Sequence, residues 1–121
     1  MPNKIEFIGL KELKERLIKG GRNIEKSDNK TFDLIVDGEY AEVKTKGHSF
    51  DNLDFISFTD KQHDKIFEDF IIFLVCNVNN PKDIQIYEFS SKLLKDLKFK
   101  KYSSYEYNKT ELKRLKFKKL T

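Results

Sequence analysis

The run Phe70-Ile-Ile-Phe-Leu-Val-Cys76 constrains this chain more than any other stretch. A strand that is apolar on both sides has no face to offer water. Extended through Val78, it therefore reads as a buried strand inside a sheet covered on both faces. It is far too short to cross a bilayer, which takes about 20 residues. A chain of 121 residues has room for one such core and one domain. Composition agrees: 38% of residues are hydrophobic and 36% charged, so a compact core meets a heavily charged surface. The single cysteine, Cys76, lies inside the run. That excludes an intrachain disulfide framework and a cysteine-based zinc site, and Cys76 reads as core. Met1-Pro2-Asn3-Lys4 leads into no apolar stretch of the signal-peptide kind, so a cytoplasmic location and no membrane partner are expected.

Around this strand the periodicities alternate. Leu10, Leu13, Leu17 and Ile18 fall at helical spacing, and Gly20-Gly21 ends the pattern. Arg22–Ile24 reads as a short strand. Phe32–Val36 and Glu39–Thr45 are β-rich, and Phe55–Phe58 is a further short strand. Thr59 or Asp60 is placed to cap a helix carrying Ile66, Phe67 and Phe70. Ile84–Phe89 alternates like a strand, Ser90 is placed to cap a short helix through Leu97, and Thr110–Leu120 is expected as a terminal helix. The order predicts an α/β or α+β single domain with helices packed on a sheet.

Asp37-Gly38 stands between two of these strands and is the strongest short-range signal for a two-residue hairpin. Counting outward sets Val36 opposite Glu39, Ile35 opposite Tyr40, Leu34 opposite Ala41 and Asp33 opposite Glu42. Opposed residues have Cβ atoms roughly 4.5–5.5 Å apart, so two carboxylates there repel unless a cation lies between them. Two carboxylates and several waters suit Mg2+ or Mn2+. The strand period puts Lys44 on the face of Glu42. Two acids, a lysine and a divalent cation suffice for phosphodiester hydrolysis. The other face of the hairpin (Phe32, Leu34, Val36, Ala41 and Val43) is apolar and suited to packing.

Asp37 is needed by the turn itself, and Asp51 and Asp54 read as solvated loop residues. His48 and His63 are not spaced as metal ligands. Lys46 and Lys61 are candidates for holding phosphate near the site. The tyrosines Tyr102, Tyr105 and Tyr107 are expected to pack the tail onto the sheet. Charge is uneven, with eleven Lys/Arg against three acids from Lys92 to Lys119, while the rest of the chain is net acidic. Lysines for phosphate and carboxylates for metal would produce that division.

Asp33-x8-Glu42-Val43-Lys44 resembles the signature of the PD-(D/E)xK nuclease superfamily, with its restriction-endonuclease-like, Holliday-junction-resolvase-like core. The similarity runs from the first helix to about Phe89. The stretch Glu42–Val78 is also similar to NOV-type C-terminal domains of the same fold group. The motif proline is absent, since Phe32 precedes Asp33. The resemblance implies a central mixed β-sheet flanked by helices over about residues 5–97, with residues 98–121 as a basic extension. It implies Asp33, Glu42 and Lys44 as catalytic residues, joined by Gln62 from the following helix and by Glu15 (or Glu12) from the first. Asp33, Glu42 and Val43 would hold Mg2+ or Mn2+. The implied activity is a metal-dependent endonuclease acting on nucleic acid, with DNA expected over RNA and a homodimer as one arrangement for two-strand cleavage. The alternative is a non-catalytic module on the same fold that binds nucleic acid or protein through Lys113, Arg114, Lys116 and Lys118.

Overall fold

A computed structural model describes residues 3–101, 104–115 and 117–120. Helix α1 spans Lys4–Lys19, starting well before its leucine pattern because Asn3 caps it: the Asn3 side chain accepts from the Glu6 N–H at 2.8 Å. It ends where the Gly20 N–H returns to Arg16 O at 3.0 Å and Gly21 takes φ 78°.

Strands β1 (Ile24–Lys26), β2 (Leu34–Val36) and β3 (Glu39–Thr45) form an antiparallel meander. The crossover that follows carries β4 (Phe55–Phe58) and the short helix α2 (Asp60–Asp64). It delivers β5 (Ile71–Cys76) parallel to β3, and β6 (Gln85–Ser90) returns antiparallel. The tail supplies β7 (Lys100–Lys101), β8 (Tyr105–Asn108), α3 (Lys109–Leu112) and β9 (Lys118–Leu120). The strands make a six-stranded mixed sheet in the order β1-β2-β3-β5-β6-β9 and a small sheet in the order β4-β8-β7. The chain is thus a single small α+β domain with a mixed sheet and few helices.

All six residues of β5 are buried, as its composition requires. Ile71, Phe73 and Val75 join Leu13 and Leu17 of α1 in one core. Ile72, Leu74 and Cys76 join Ile56, Phe58, Tyr107 and Leu112 in the other. One face of the large sheet is therefore covered by α1 and the opposite face by the small sheet. Each fully buried large side chain contributes about 1.5–3 kcal/mol of transfer free energy. Burial also pushes the Cys76 thiol up to about 12, which makes it an inert core group.

The tail departs from the helical expectation for Thr110–Leu120. Among its described residues only those of α3 are helical, and Lys118–Leu120 pairs instead with β6, setting Leu120 beside Ile86 and Lys118 beside Glu88. The strand closes an edge of β6 that would otherwise leave its ladder open, and Phe117 packs on Phe50, Tyr87 and Phe89. The segment predicted as a helix from Ser90 is a 3-10 turn over Ser91–Asp96. Described residues beyond 97 contribute strands to both sheets, β7 and β8 to the small one and β9 to the large one. Tyr105 and Tyr107 pack as expected, and Tyr102 lies outside the described residues. Among the described residues no helix is long and apolar enough to cross a membrane.

Candidate active site

The hairpin holds the register counted from its turn. Asp37 and Gly38 take φ 51° and 83°, the left-handed pair that a type I′ turn demands, and Leu34 lies opposite Ala41. The Asp37 carboxylate accepts from Arg22 Nε at 2.7 Å and Asn23 N at 2.9 Å, so it is structural. Past Leu34 the ladder changes. Asp33 N donates to Ala41 O at 3.0 Å, one residue out of register, and the side chain takes over a main-chain role: Asp33 Oδ2 accepts from Val43 N at 2.9 Å. Glu42 Oε1 accepts from the same N–H at 3.2 Å. Two carboxylates converge on one donor.

Glu42 and Lys44 sit beside Ile72 and Leu74 of β5, on the face turned away from α1 and toward the small sheet. Lys44 Nζ donates to Gln62 Oε1 at 3.1 Å, lies 3.7 Å from Glu42 Oε2, and stands 4.7 Å from the centroid of the Phe58 ring. Gln62 is itself fixed by its position as the third residue of α2. Thr59 and Gln62 form a capping box, with Gln62 N donating to Thr59 Oγ1 at 3.2 Å and Thr59 N to Gln62 Oε1 at 3.1 Å. Its Nε2 reaches Thr31 O at 3.2 Å. One amide thus joins the loop before β2, the start of α2 and the lysine of β3.

The electrostatics are set by burial. Glu42 is 3% exposed, and its Oε2 is buried with no hydrogen-bond partner. Desolvation, and then the Asp33 carboxyl, push the Glu42 carboxyl up to about 9 against the opposing pull of the Lys44 ammonium. Burial holds Lys44 below the usual lysine range against the attraction of Glu42 and Asp33. The salt-bridge distance of 3.7 Å taken alone would favour an ionised pair. Desolvation outweighs it, so the Glu42 carboxyl is held up toward its protonated form.

Asp33, Glu42, Lys44 and Gln62 are therefore brought together, as the sequence reading expects. Val43 contributes its main-chain N–H to both carboxylates and turns its side chain into the α1 core, which leaves only its carbonyl for a cation. Glu15 is not brought to the site, and this corrects the expectation for the first helix. Leu13 and Leu17 bury α1 against the sheet face opposite Glu42. Glu15 is left exposed on a groove shared with Arg16, Asp83 and Lys119, and Glu12 is engaged by Arg16 Nε at 3.1 Å.

Lys46 Nζ lies 3.7 Å from Asp54 and 4.8 Å from the Phe55 ring centroid. Lys61 is exposed on α2 and lines a groove of about 510 Å3 with Lys30, Thr31 and Gln62. Lys113 and Arg114 are exposed beyond α3, with Arg114 bound to Glu111 at 3.1 Å, and Lys116 lies outside the described residues. His63 is occupied by a 2.8 Å contact to the Tyr107 hydroxyl and by stacking on Tyr105. Sequence reasoning overlooked Phe58 and Thr31 as partners of the site. The Thr59-x-x-Gln62 capping-box spacing was the available signal for how Gln62 is held.

Among the described residues no group of three or more His, Cys, Asp or Glu stands ready to hold a metal ion. The donors present are two carboxylates, one with an orphaned buried oxygen. That set fits Mg2+, which is commonly held by one or two carboxylates and keeps its waters. No protein-family model, curated protein or solved structure matches the chain.

Proposed function

We propose that this protein is a divalent-metal-dependent nuclease of the PD-(D/E)xK type, hydrolysing phosphodiester bonds of nucleic acid, with DNA as the favoured substrate. The observation that carries the reading is the buried Glu42 Oε2, which has no hydrogen-bond partner and only a 3.7 Å ionic contact to Lys44 Nζ, beside Asp33. A buried polar atom without a partner costs about 1–3 kcal/mol, and such a cost is retained where the group serves a ligand. A mixed sheet with a helix on one face also suits the restriction-endonuclease-like core that the sequence resembles.

In this reading Asp33 and Glu42, with the Val43 carbonyl, hold Mg2+ or Mn2+. When bound, the cation supplies Lewis acidity and lowers the pKa of a coordinated water. Gln62 and Phe58 fix the Lys44 head beside the carboxylates, where it balances charge developing on the phosphate. Its lowered pKa lets it exchange a proton nearer neutral pH than an exposed lysine does. Lys61 and Lys46 flank the site as phosphate contacts.

The test is nicking of supercoiled plasmid with Mg2+ or Mn2+ by the wild type and by Asp33→Asn, Glu42→Gln and Lys44→Met. Metal-dependent nicking that all three variants lose is the expected result. Nicking retained by all three would sink the assignment. Absence of turnover with any divalent ion, together with steeply salt-dependent binding that Lys113 and Arg114 replacements weaken, would make the chain a binding module instead.

A further inference from the structure

Charge changes sign along one face of β3. Tyr40, Glu42 and Lys44 follow one another onto that face, roughly 6.5 Å apart along the strand. On the Tyr40 side of Glu42 the surface is acidic. Tyr40 and Phe32, stacked at 4.9 Å between ring centroids, wall a pocket of about 260 Å3 whose lining also includes Glu39, Glu68 and Asp69. Among the described residues no lysine or arginine lines it, and the Tyr40 hydroxyl donates to a further acid, Asp28, at 2.6 Å. Lys65 and Lys92 offset Glu68 and Asp69 at 3.3 and 3.8 Å. Asp28 and Glu39 leave that flank net negative.

On the Lys44 side the surface is basic. The groove of about 510 Å3 beside Gln62 carries Lys30 and Lys61, both exposed, on its lining. Asp60, the one acid among the described residues of that lining, is offset by Lys101 Nζ at 3.9 Å. Thr31 and Ser104 add hydroxyl groups. The groove is also joined to the carboxylate site by hydrogen bonds. Gln62 Oε1 accepts from Lys44 Nζ at 3.1 Å, and Gln62 Nε2 donates to Thr31 O at 3.2 Å. Lys30 and Lys61 therefore sit on the two segments, the loop before β2 and the start of α2, that Gln62 ties to the lysine of the site. Ammonium and hydroxyl donors around an open groove are what hold the phosphate oxygens of a nucleic-acid backbone. Carboxylates facing the same backbone repel it.

We propose that the substrate strand leaves the carboxylates on one side only, across the Lys30–Lys61 groove, where these lysines and the Thr31 and Ser104 hydroxyls hold the phosphates next to the scissile one. This rests on the nucleic-acid reading of Asp33, Glu42 and Lys44 and adds the path of the backbone to it. The acidic pocket at Tyr40 makes no phosphate contact, so on that side the strand turns away from the surface. The groove touches phosphate rather than base edges, so this hold is indifferent to sequence.

The experiment is fluorescence anisotropy of the full chain with a short labelled DNA duplex across a salt series, in EDTA so that nothing is cut. Lys30→Ala combined with Lys61→Ala should lower the slope of log affinity against log salt by about two, one for each lysine. Both side chains are exposed, so circular dichroism and melting should match the wild type. Lys11→Ala combined with Lys14→Ala removes as much exposed charge from α1, across the sheet, and should leave the slope unchanged. Glu39→Gln combined with Glu68→Gln should change affinity by less than about threefold. An unchanged slope in the Lys30 and Lys61 variant, or an equal fall in the Lys11 and Lys14 variant, would overturn the proposed path. So would a gain of about tenfold on removing Glu39 and Glu68, which would put the backbone on the acidic side. Plasmid nicking lost in Glu42→Gln, with the slope unchanged in the Lys30 and Lys61 variant, would keep the nuclease and remove the groove. A lowered slope without any metal-dependent cleavage would keep the groove and remove the nuclease.

Discussion

Cation binding at Asp33 and Glu42 should expel a proton, because the Glu42 carboxyl is held up to about 9 by burial and by Asp33. At pH 7 about one molecule in a hundred then carries the ionised form that a cation needs. The apparent affinity at pH 7 is accordingly about 100-fold below its value for the ionised site, or about 3 kcal/mol at 1.36 kcal/mol per pH unit. It should rise nearly tenfold per unit between pH 6.5 and 8.5. Calorimetric titration with Mg2+ at several pH values, in buffers of different protonation enthalpy, reads both the slope and the count. The expected count is about one proton released per cation, and Glu42→Gln should lose the binding. Affinity flat over that range would show that Lys44 keeps Glu42 ionised, and the burial argument would fall. The metal-free protein carries the same linkage with opposite visibility. A carboxyl raised above its ordinary value adds stability below that value, and the benefit is lost as pH rises through about 9. Glu42→Gln should therefore melt with less pH dependence than the wild type.

Two further outcomes follow from packing. Gly9 lies inside α1, where alanine would ordinarily add about 1 kcal/mol, yet a Cβ there would stand 2.5 Å from Thr45 Cγ2. Gly9→Ala should lower stability by about 1–3 kcal/mol in denaturant melts, and Thr45→Ser should restore most of it; a stabilised Gly9→Ala would refute the close approach. Gln62→Ala removes half of the capping box and the acceptor for Lys44. It should cost about 1 kcal/mol and lower nicking more than Thr59→Ala does. Equal losses in both would reduce Gln62 to a helix cap.

What was legible in the sequence was whatever a local rule determines. Asp37-Gly38 determined the turn, the turn determined the register through Leu34, and the register carried Glu42 and Lys44 to one face. The apolar run determined β5 and its double burial. The tail was illegible because Lys118–Leu120 becomes a strand only through β6, a partner more than 25 residues earlier in the chain. The Glu15 expectation failed for a related reason. Helical spacing gives the buried stripe of α1 but not the sheet face on which that stripe lands. The side on which Leu13 and Leu17 pack is a tertiary fact.

The site lies where the hairpin stops obeying its own rule. Beyond Leu34 the register slips by one, and the Asp33 carboxylate replaces a main-chain acceptor at Val43 N. A carboxylate so engaged is fixed in direction without a second side chain to hold it. Glu42 shares that donor through Oε1, which leaves Oε2 buried without a hydrogen bond, 3.7 Å from Lys44 Nζ. A sequence selected for stability alone would place an apolar residue at position 42, between the buried Ile72 of β5 and the core beneath the small sheet. Two cores stand on either side of β5, and they are what let the fold tolerate the exception. Rigid apolar packing around Glu42 makes its unpaired oxygen costly, and the same packing keeps that oxygen aimed at whatever ligand relieves it.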